Sequence, residues 1–438
     1  NSQLKNRTRS QKKQLSGLSK SVKNELDRVQ ISGFGRVSWD NDNIKGYTDR
    51  NDNRRFYLDL KGKFKVNDDW NFNFESETNP RYANYVMADG TLKSHNGHDD
   101  EDGAIQRVWA EGKTGKVNYD IGRRWRGLGF QNVLLGNETD GAVISTAIPK
   151  SKLTANAFYL TPTDKGYNFS VYGAGVQGQI GHGLQINAAI AKLNIGKHES
   201  MGQNVYDTTK TFKVEGTNAT IKDLSGTIKG GGYFTWYGGQ AGDKSYGEFN
   251  SDPGFSIYYT PGLSGTVDAS GKYTVTETPS ELPNTAGNLG FVLSAMWNPM
   301  KNIFLIGDYA RTNAPSYKVG EWGANGYQET KYDKNSCTAL RLNYRWSNIN
   351  DPGSFQLYAR WYNYARNINN LVGIFGDKEW GALQPGSKGW ILGFKYVPAK
   401  NIELETFYEY ATAQNTLYGH KNETYHRNFL RTMVDYHF

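Results

Sequence analysis

Residues 55–77 read RFYLDLKGKFKVNDDWNFNFESE. Phe56, Leu58, Leu60, Gly62, Phe64 and Val66 alternate with Arg55, Tyr57, Asp59, Lys61, Lys63 and Lys65. After Asn67–Asp69 the same period resumes, with Trp70, Phe72 and Phe74 set against Asn71, Asn73, Glu75 and Glu77. A period of two sends alternate side chains to opposite faces of a strand. One face here is greasy and the other carries charge of both signs. A soluble sandwich would cover the greasy face with a second layer, using strands of about five or six residues. Many runs in this chain extend for ten to thirteen residues. That length suits a tilted strand crossing a bilayer, which takes about 9–11 residues.

Upstream, Val29, Ile31, Gly33, Gly35, Val37 and Trp39 alternate with Gln30, Ser32, Phe34, Arg36, Ser38 and Asp40. Downstream the pattern is punctuated by very short connections at 67–69, 114–116, 149–151, 181–183, 298–302, 348–353 and 398–401. Between them lie longer polar segments near 40–52, 79–103, 125–140, 161–167, 194–286, 312–335, 366–387 and 413–426. Short and long connections alternate, as they do when hairpins face two compartments. Seven short turns and eight long segments join sixteen strands, with both chain ends on the short-turn side. The pattern therefore predicts an all-β fold, a 16-stranded antiparallel transmembrane β-barrel over 29–438. Tyr233–Trp236 and Phe255–Tyr259 fall inside 194–286, the largest external segment, and are assigned to it. Counting them as wall strands gives the 18-stranded alternative.

Aromatic placement supports the same reading. Phe64, Trp70, Trp297, Trp346, Phe355 and Tyr396 all lie beside short turns on the apolar face, where an interfacial girdle belongs. The stretch 430–438, LRTMVDYHF, alternates up to a terminal aromatic, resembling the signal by which bacterial outer-membrane barrels are recognised for assembly.

Composition excludes several classes. The 438 residues are 37% hydrophobic with a mean hydropathy of −0.70, and no apolar run approaches the roughly 18–20 residues of a membrane helix. Aromatic residues make up 14% of the chain, too many for a disordered one. The single cysteine, Cys337, rules out a disulfide framework and a cysteine-based zinc cluster. Of the net charge of +8, residues 1–30 carry +6, from eight basic and two acidic groups. The rest is nearly neutral, which is not the footprint of a nucleic-acid binder. Residues 1–28 form a basic arm in which Leu4, Leu15, Leu18, Val22 and Val29 follow a degenerate a/d pattern, interrupted by Glu25. Both the end of a coiled coil and a solvated basic tail fit that pattern.

The charged face predicts an aqueous interior lined by Arg36, Arg55, Asp59, Lys61, Glu75, Glu77, Arg107, Glu111, Asp120, Arg124, Arg341, Arg345, Arg360, Glu403, Glu405 and Glu409. A sixteen-stranded barrel is too wide for its side chains to fill. Other signals are weaker. Gly173–Gly178 spells GxGxxG, but the tight turn at Gly181–Gly183 and the strand from Leu184 follow it, where a nucleotide site needs a helix. His95–Asp102, Asp40–Asn43 and Asp49–Asn53 read as solvated loop tips, with a weak cation site as the alternative. Glu403, Glu405 and Glu409 share one face of one strand, whereas glycosidase carboxylates flank a bond from different directions. No cofactor site and no catalytic arrangement emerges.

Taken together the chain resembles a general diffusion porin. More closely, 22–39, VKNELDRVQISGFGRVSW, resembles the junction between helical stalk and first strand in OmpM-type porins, the S-layer-homology porin family. That resemblance implies a homotrimer in the outer membrane, in contact with lipid and lipopolysaccharide. It also implies a coiled-coil stalk and an S-layer-homology domain gripping peptidoglycan or another cell-wall polymer. No such domain precedes Asn1, and the expectation is that it was removed or that this relative lacks it, so tethering is an implication for a longer form. In general porins the third long loop is an eyelet folded into the barrel. Carried over, 125–140 would set Glu138 and Asp140 against Arg107, Arg124 or Arg36, although an ordinary surface loop also fits. The expected function is passive diffusion of small hydrophilic solutes and ions, with no bond made or broken. A sugar-specific channel using Tyr57, Trp109, Tyr358, Tyr362 and Tyr364, or a mainly structural envelope tether, are the rivals.

Overall fold

The computed structural model describes residues 2–45, 50–86, 92–98, 100–163, 169–195, 289–313, 334–364, 386–414 and 424–438, with short strand segments between 210 and 277 and between 317 and 332. Sixteen strands form the wall. They are β1 (Val29–Lys45), β2 (Arg50–Lys65), β3 (Trp70–Thr78), β4 (Ile105–Thr114), β5 (Val117–Leu128), β6 (Leu135–Ala147), β7 (Lys152–Pro162) and β8 (Phe169–Gln179). They continue as β9 (Leu184–Ile195), β10 (Leu289–Met300), β11 (Ile303–Thr312), β12 (Ser336–Tyr344), β13 (Phe355–Tyr364), β14 (Lys388–Ala399), β15 (Ile402–Gln414) and β16 (Thr424–His437).

Each strand pairs antiparallel with the next. The ring closes where β1 pairs antiparallel with β16. Closure removes both sheet edges, so every wall strand has a partner on each side. A short hairpin, Arg81–Val86 with Leu92–Gly97, adds to β2 outside the ring. Tyr233–Trp236 pairs with Phe255–Tyr258, which pairs with Tyr317–Gly323 in a separate small sheet. β9 pairs directly with β10, so the wall has sixteen strands and not eighteen. Much of 194–286, all of 366–385, and Tyr259, Asp49 and Asp99 fall outside the described residues.

The short turns are built as their residues require. Lys150, Asn302, Arg345 and Asn401 take positive φ at four of them, and asparagine tolerates the left-handed region because its short side chain bonds locally. The greasy rows point outward. Tyr159, Ile190, Leu340 and Leu392 are each more than half exposed. Phe64, Trp297 and Trp346 stand exposed beside the short turns, and Trp70 stacks on Tyr119 there. A closed wall with an apolar belt and aromatic rim is the form that crosses an outer membrane. Among the described residues no helix is long and apolar enough to cross one. The helix α1 (Ser2–Leu26) precedes β1 on the short-turn side and buries none of its side chains.

Candidate functional site

Side chains on the inner face meet across strands because antiparallel partners share a face. At the closing seam, Arg36 lies opposite Asp435 and Asp40 opposite Arg431. Both pairs are two-pronged, Arg36 to Asp435 at 2.6 and 2.7 Å and Arg431 to Asp40 at 2.6 and 2.6 Å. Asp40 is 1% exposed, so it belongs to the wall and is no loop tip. Arg431 and Asp435 carry no loop motif. Their signal is a complementary spacing of four on the first and last strands, running in opposite order.

A second cluster lies on β2–β4. Arg107 donates to Glu75, to Glu77 at 2.9 Å and to Glu138 at 2.8 Å, and Lys61 approaches Glu75 at 3.8 Å. Arg55 donates to Asn79 at 3.1 Å. Arg124 sits over the Trp109 ring and donates to Glu111 at 2.9 Å and Asp120 at 2.8 Å. Opposite, Arg341 stacks on Tyr358, whose hydroxyl donates to Glu405 at 2.6 Å. Lys395 lies 3.8 Å from both Glu403 and Glu405. Lys61, Glu111 and Arg124 keep 50%, 39% and 33% of their side chains accessible although they face the inside of a closed wall. Charged groups in that position require water inside.

The third long connection does enter the barrel, though not with the expected bounds. Strands run through Leu128 and restart at Leu135, leaving 129–134 as the loop. The last wall pairings are Val108 with Arg123 on one side and Thr139 with Pro162 on the other. Beyond them, Arg124–Leu128 and Leu135–Glu138 form a free two-stranded arm whose tip reaches β10–β13. The Gln131 N–H donates to Asp308 Oδ2 at 2.9 Å, its Nε2 donates to the Ala339 carbonyl at 3.1 Å, and Arg360 Nε donates to its Oε1 at 2.8 Å. Ser294 Oγ also donates to Asp308, at 2.7 Å. Gly129, at φ +90°, turns the chain where a Cβ would lie 2.7 Å from Asp308 Oδ2. Val133, Leu134 and Leu135 pack into an apolar cluster with Phe158, Leu160 and Leu193 of the inner wall. Sequence reading finds neither this latch nor the inner apolar patch, because Gln131 is an ordinary polar residue 177 positions from Asp308.

Two expected lining residues lie elsewhere. Asp140 pairs at 2.6 Å with Arg123, which lies on the outer face opposite Val108 and two residues from Ile121, and not with Arg107, Arg124 or Arg36. The eyelet resemblance carries Asp140 inward as part of a loop over 125–140, whereas Asp140 lies in strand β6 and is already wall. Arg345 follows the inward parity of Arg341 and Asn343, but β12 ends at Tyr344. The left-handed turn at Arg345 swings its guanidinium over Phe355. Glu138 does meet Arg107. Arg360, 1% exposed, and Glu409, fully buried, face inward without presenting accessible charge. Tyr362 is likewise fully buried, and Trp109, Tyr358 and Tyr364 are nearly so, which closes those rings to a passing sugar. Gly173–Gly178 lies within strand β8, with no helix after it.

Neither a protein-family model nor a curated protein sequence matches the chain. Solved structures of similar shape include a triple mutant of the Rhodopseudomonas blastica porin, at 9% identity and a TM-score of 0.42, covering 94% of this chain and 100% of that one. They also include OmpT, an outer membrane protein of Vibrio cholerae, at 9% identity and a TM-score of 0.42, covering 94% of this chain and 98% of that one.

Proposed function

We propose that this outer-membrane barrel is a porin, a water-filled channel through which small hydrophilic solutes and ions diffuse passively. The observation that carries it is the set of accessible charged side chains, Lys61, Glu111 and Arg124, held inside a closed wall. The inserted arm narrows that interior and opposes Glu138 to the wall cation Arg107. Opposed fixed charges sort solutes by size and weakly by sign, because they fix the local ion concentration. On this reading solutes pass without any bond being made or broken. A homotrimer, with α1 bundled against its copies and a wall-binding segment in a longer form, completes the proposal. The bare stripe of Leu15, Leu18 and Val22 supports the bundling.

Purified protein in a planar lipid bilayer should give discrete ohmic current steps, in groups of three for a trimer. Closed bilayers at every protein concentration would end the channel reading. Gln131→Ala, which removes the donor to Ala339 and the acceptor for Arg360, should raise single-channel conductance as the arm loosens.

A further inference from the structure

One patch of the inner wall holds more acid than base. Asp59 on β2 and Glu75 and Glu77 on β3 face inward, and one carboxylate oxygen of each lies within 4.8 Å of the other two. Register sets Asp59 directly opposite Glu77 and Lys61 opposite Glu75. Among the described residues the cations in contact are Arg107 and Lys61, set against Asp59, Glu75, Glu77 and Glu138. Arg36 is held by both oxygens of Asp435. The patch is therefore short of two positive charges. Asp59 shows the deficit most directly. It is 6% exposed, and its Oδ1 has no hydrogen-bond partner among the described residues. Burying a carboxylate oxygen with no donor is costly.

We infer that Asp59, Glu75 and Glu77 form a divalent-cation site of the calcium type. The donor set is all oxygen, which suits Ca²⁺ and Mg²⁺ over metals that favour nitrogen or sulfur. Calcium–oxygen bonds of about 2.3–2.6 Å put ligands on opposite sides of the ion about 4.6–5.2 Å apart, while the octahedron of Mg²⁺ allows only about 4.2 Å. The three oxygens all lie within 4.8 Å of one another, close enough for one ion to touch each of them, and Ca²⁺ accepts an irregular cage of carboxylates where Mg²⁺ keeps several of its waters. Interior water fills the remaining positions. A dication there offsets both missing charges, supplies Asp59 Oδ1 with a partner, and leaves Arg107 to Glu138. The ion thus ties the wall to the base of the inserted arm.

Isothermal titration of chelator-treated full-length protein in detergent, with CaCl₂ and separately MgCl₂, tests this without passing any current, so it stands or falls apart from the channel reading. Wild type should show one saturable Ca²⁺ site per chain, with a Kd on the order of 10⁻⁴–10⁻³ M, and weaker Mg²⁺ binding. Asp59→Asn should weaken Ca²⁺ binding about 10-fold or more. If that variant fails to assemble, Glu77→Gln, on a partly exposed side chain, carries the same comparison. Identical titrations for wild type and variant would mean that calcium sits on other acidic groups, and the site would be refuted. So would a wild type that takes up no calcium and responds only to pH, since a shared proton would then fill the deficit.

Discussion

Arg431 and Asp40 lock the last strand to the first with two parallel hydrogen bonds in a buried setting. Removing one partner of such a pair strands a buried charge, at about 3–5 kcal/mol. Arg431→Ala should therefore lower the temperature at which the barrel loses its heat-resistant migration on gels. Combining it with Asp40→Asn should restore part of the loss, because the two residues are coupled. If the losses simply added, the pair would not be acting as a unit. Glu138 and Asp140 allow a sharper contrast. Glu138 bonds Arg107 inside, and Asp140 bonds Arg123 outside. Glu138→Lys should move the reversal potential in a salt gradient toward anions, while Asp140→Lys should leave it unmoved. A shift of equal size from both would put Asp140 in the permeation path.

At the level of elements, the wall strands are plain in the alternation, whereas the inserted arm is reached only through the porin resemblance and its seat not at all. Phe56–Val66 and Arg55–Lys65 differ on every position, and lipid on one side with water on the other enforces that contrast over the whole strand. Asp140 and Arg345 lie elsewhere for different reasons: Asp140 is carried inward with a loop that in fact ends at residue 134, and Arg345 is placed by alternation one residue past the end of its strand. A parity count holds only while the chain stays extended, so it fails at whichever residue the strand starts or stops. The arm's seat depends on Gln131, Asp308, Ala339 and Arg360, drawn from four separate elements, and no local pattern announces such a meeting. The helix α1 carries a prediction of its own. Its apolar stripe is short for a stable bundle unless the attached barrels raise the local concentration of copies. In the proposed homotrimer, Leu18→Asp together with Val22→Asp should leave the barrel folded but shift its mass in detergent, measured by light scattering, from three chains toward one. Unchanged mass would assign assembly to the barrel wall.

At the scale of the molecule, sixteen antiparallel pairings close the ring, and fifteen of them join wall strands consecutive in the chain. The exception is the seam, where Arg36 meets Asp435 across 399 positions. Until that contact forms, a growing sheet has two raw borders, each able to recruit a stray strand. Loop-closure entropy and long-range pairing make such a step slow. Biosynthesis compounds the delay, since the ribosome delivers the first and final staves of the cask at opposite ends of translation. The nascent polypeptide must consequently be shepherded, unsealed, through the aqueous space before insertion. A cell short of such escorts would accumulate tangled precursor rather than a leaky envelope.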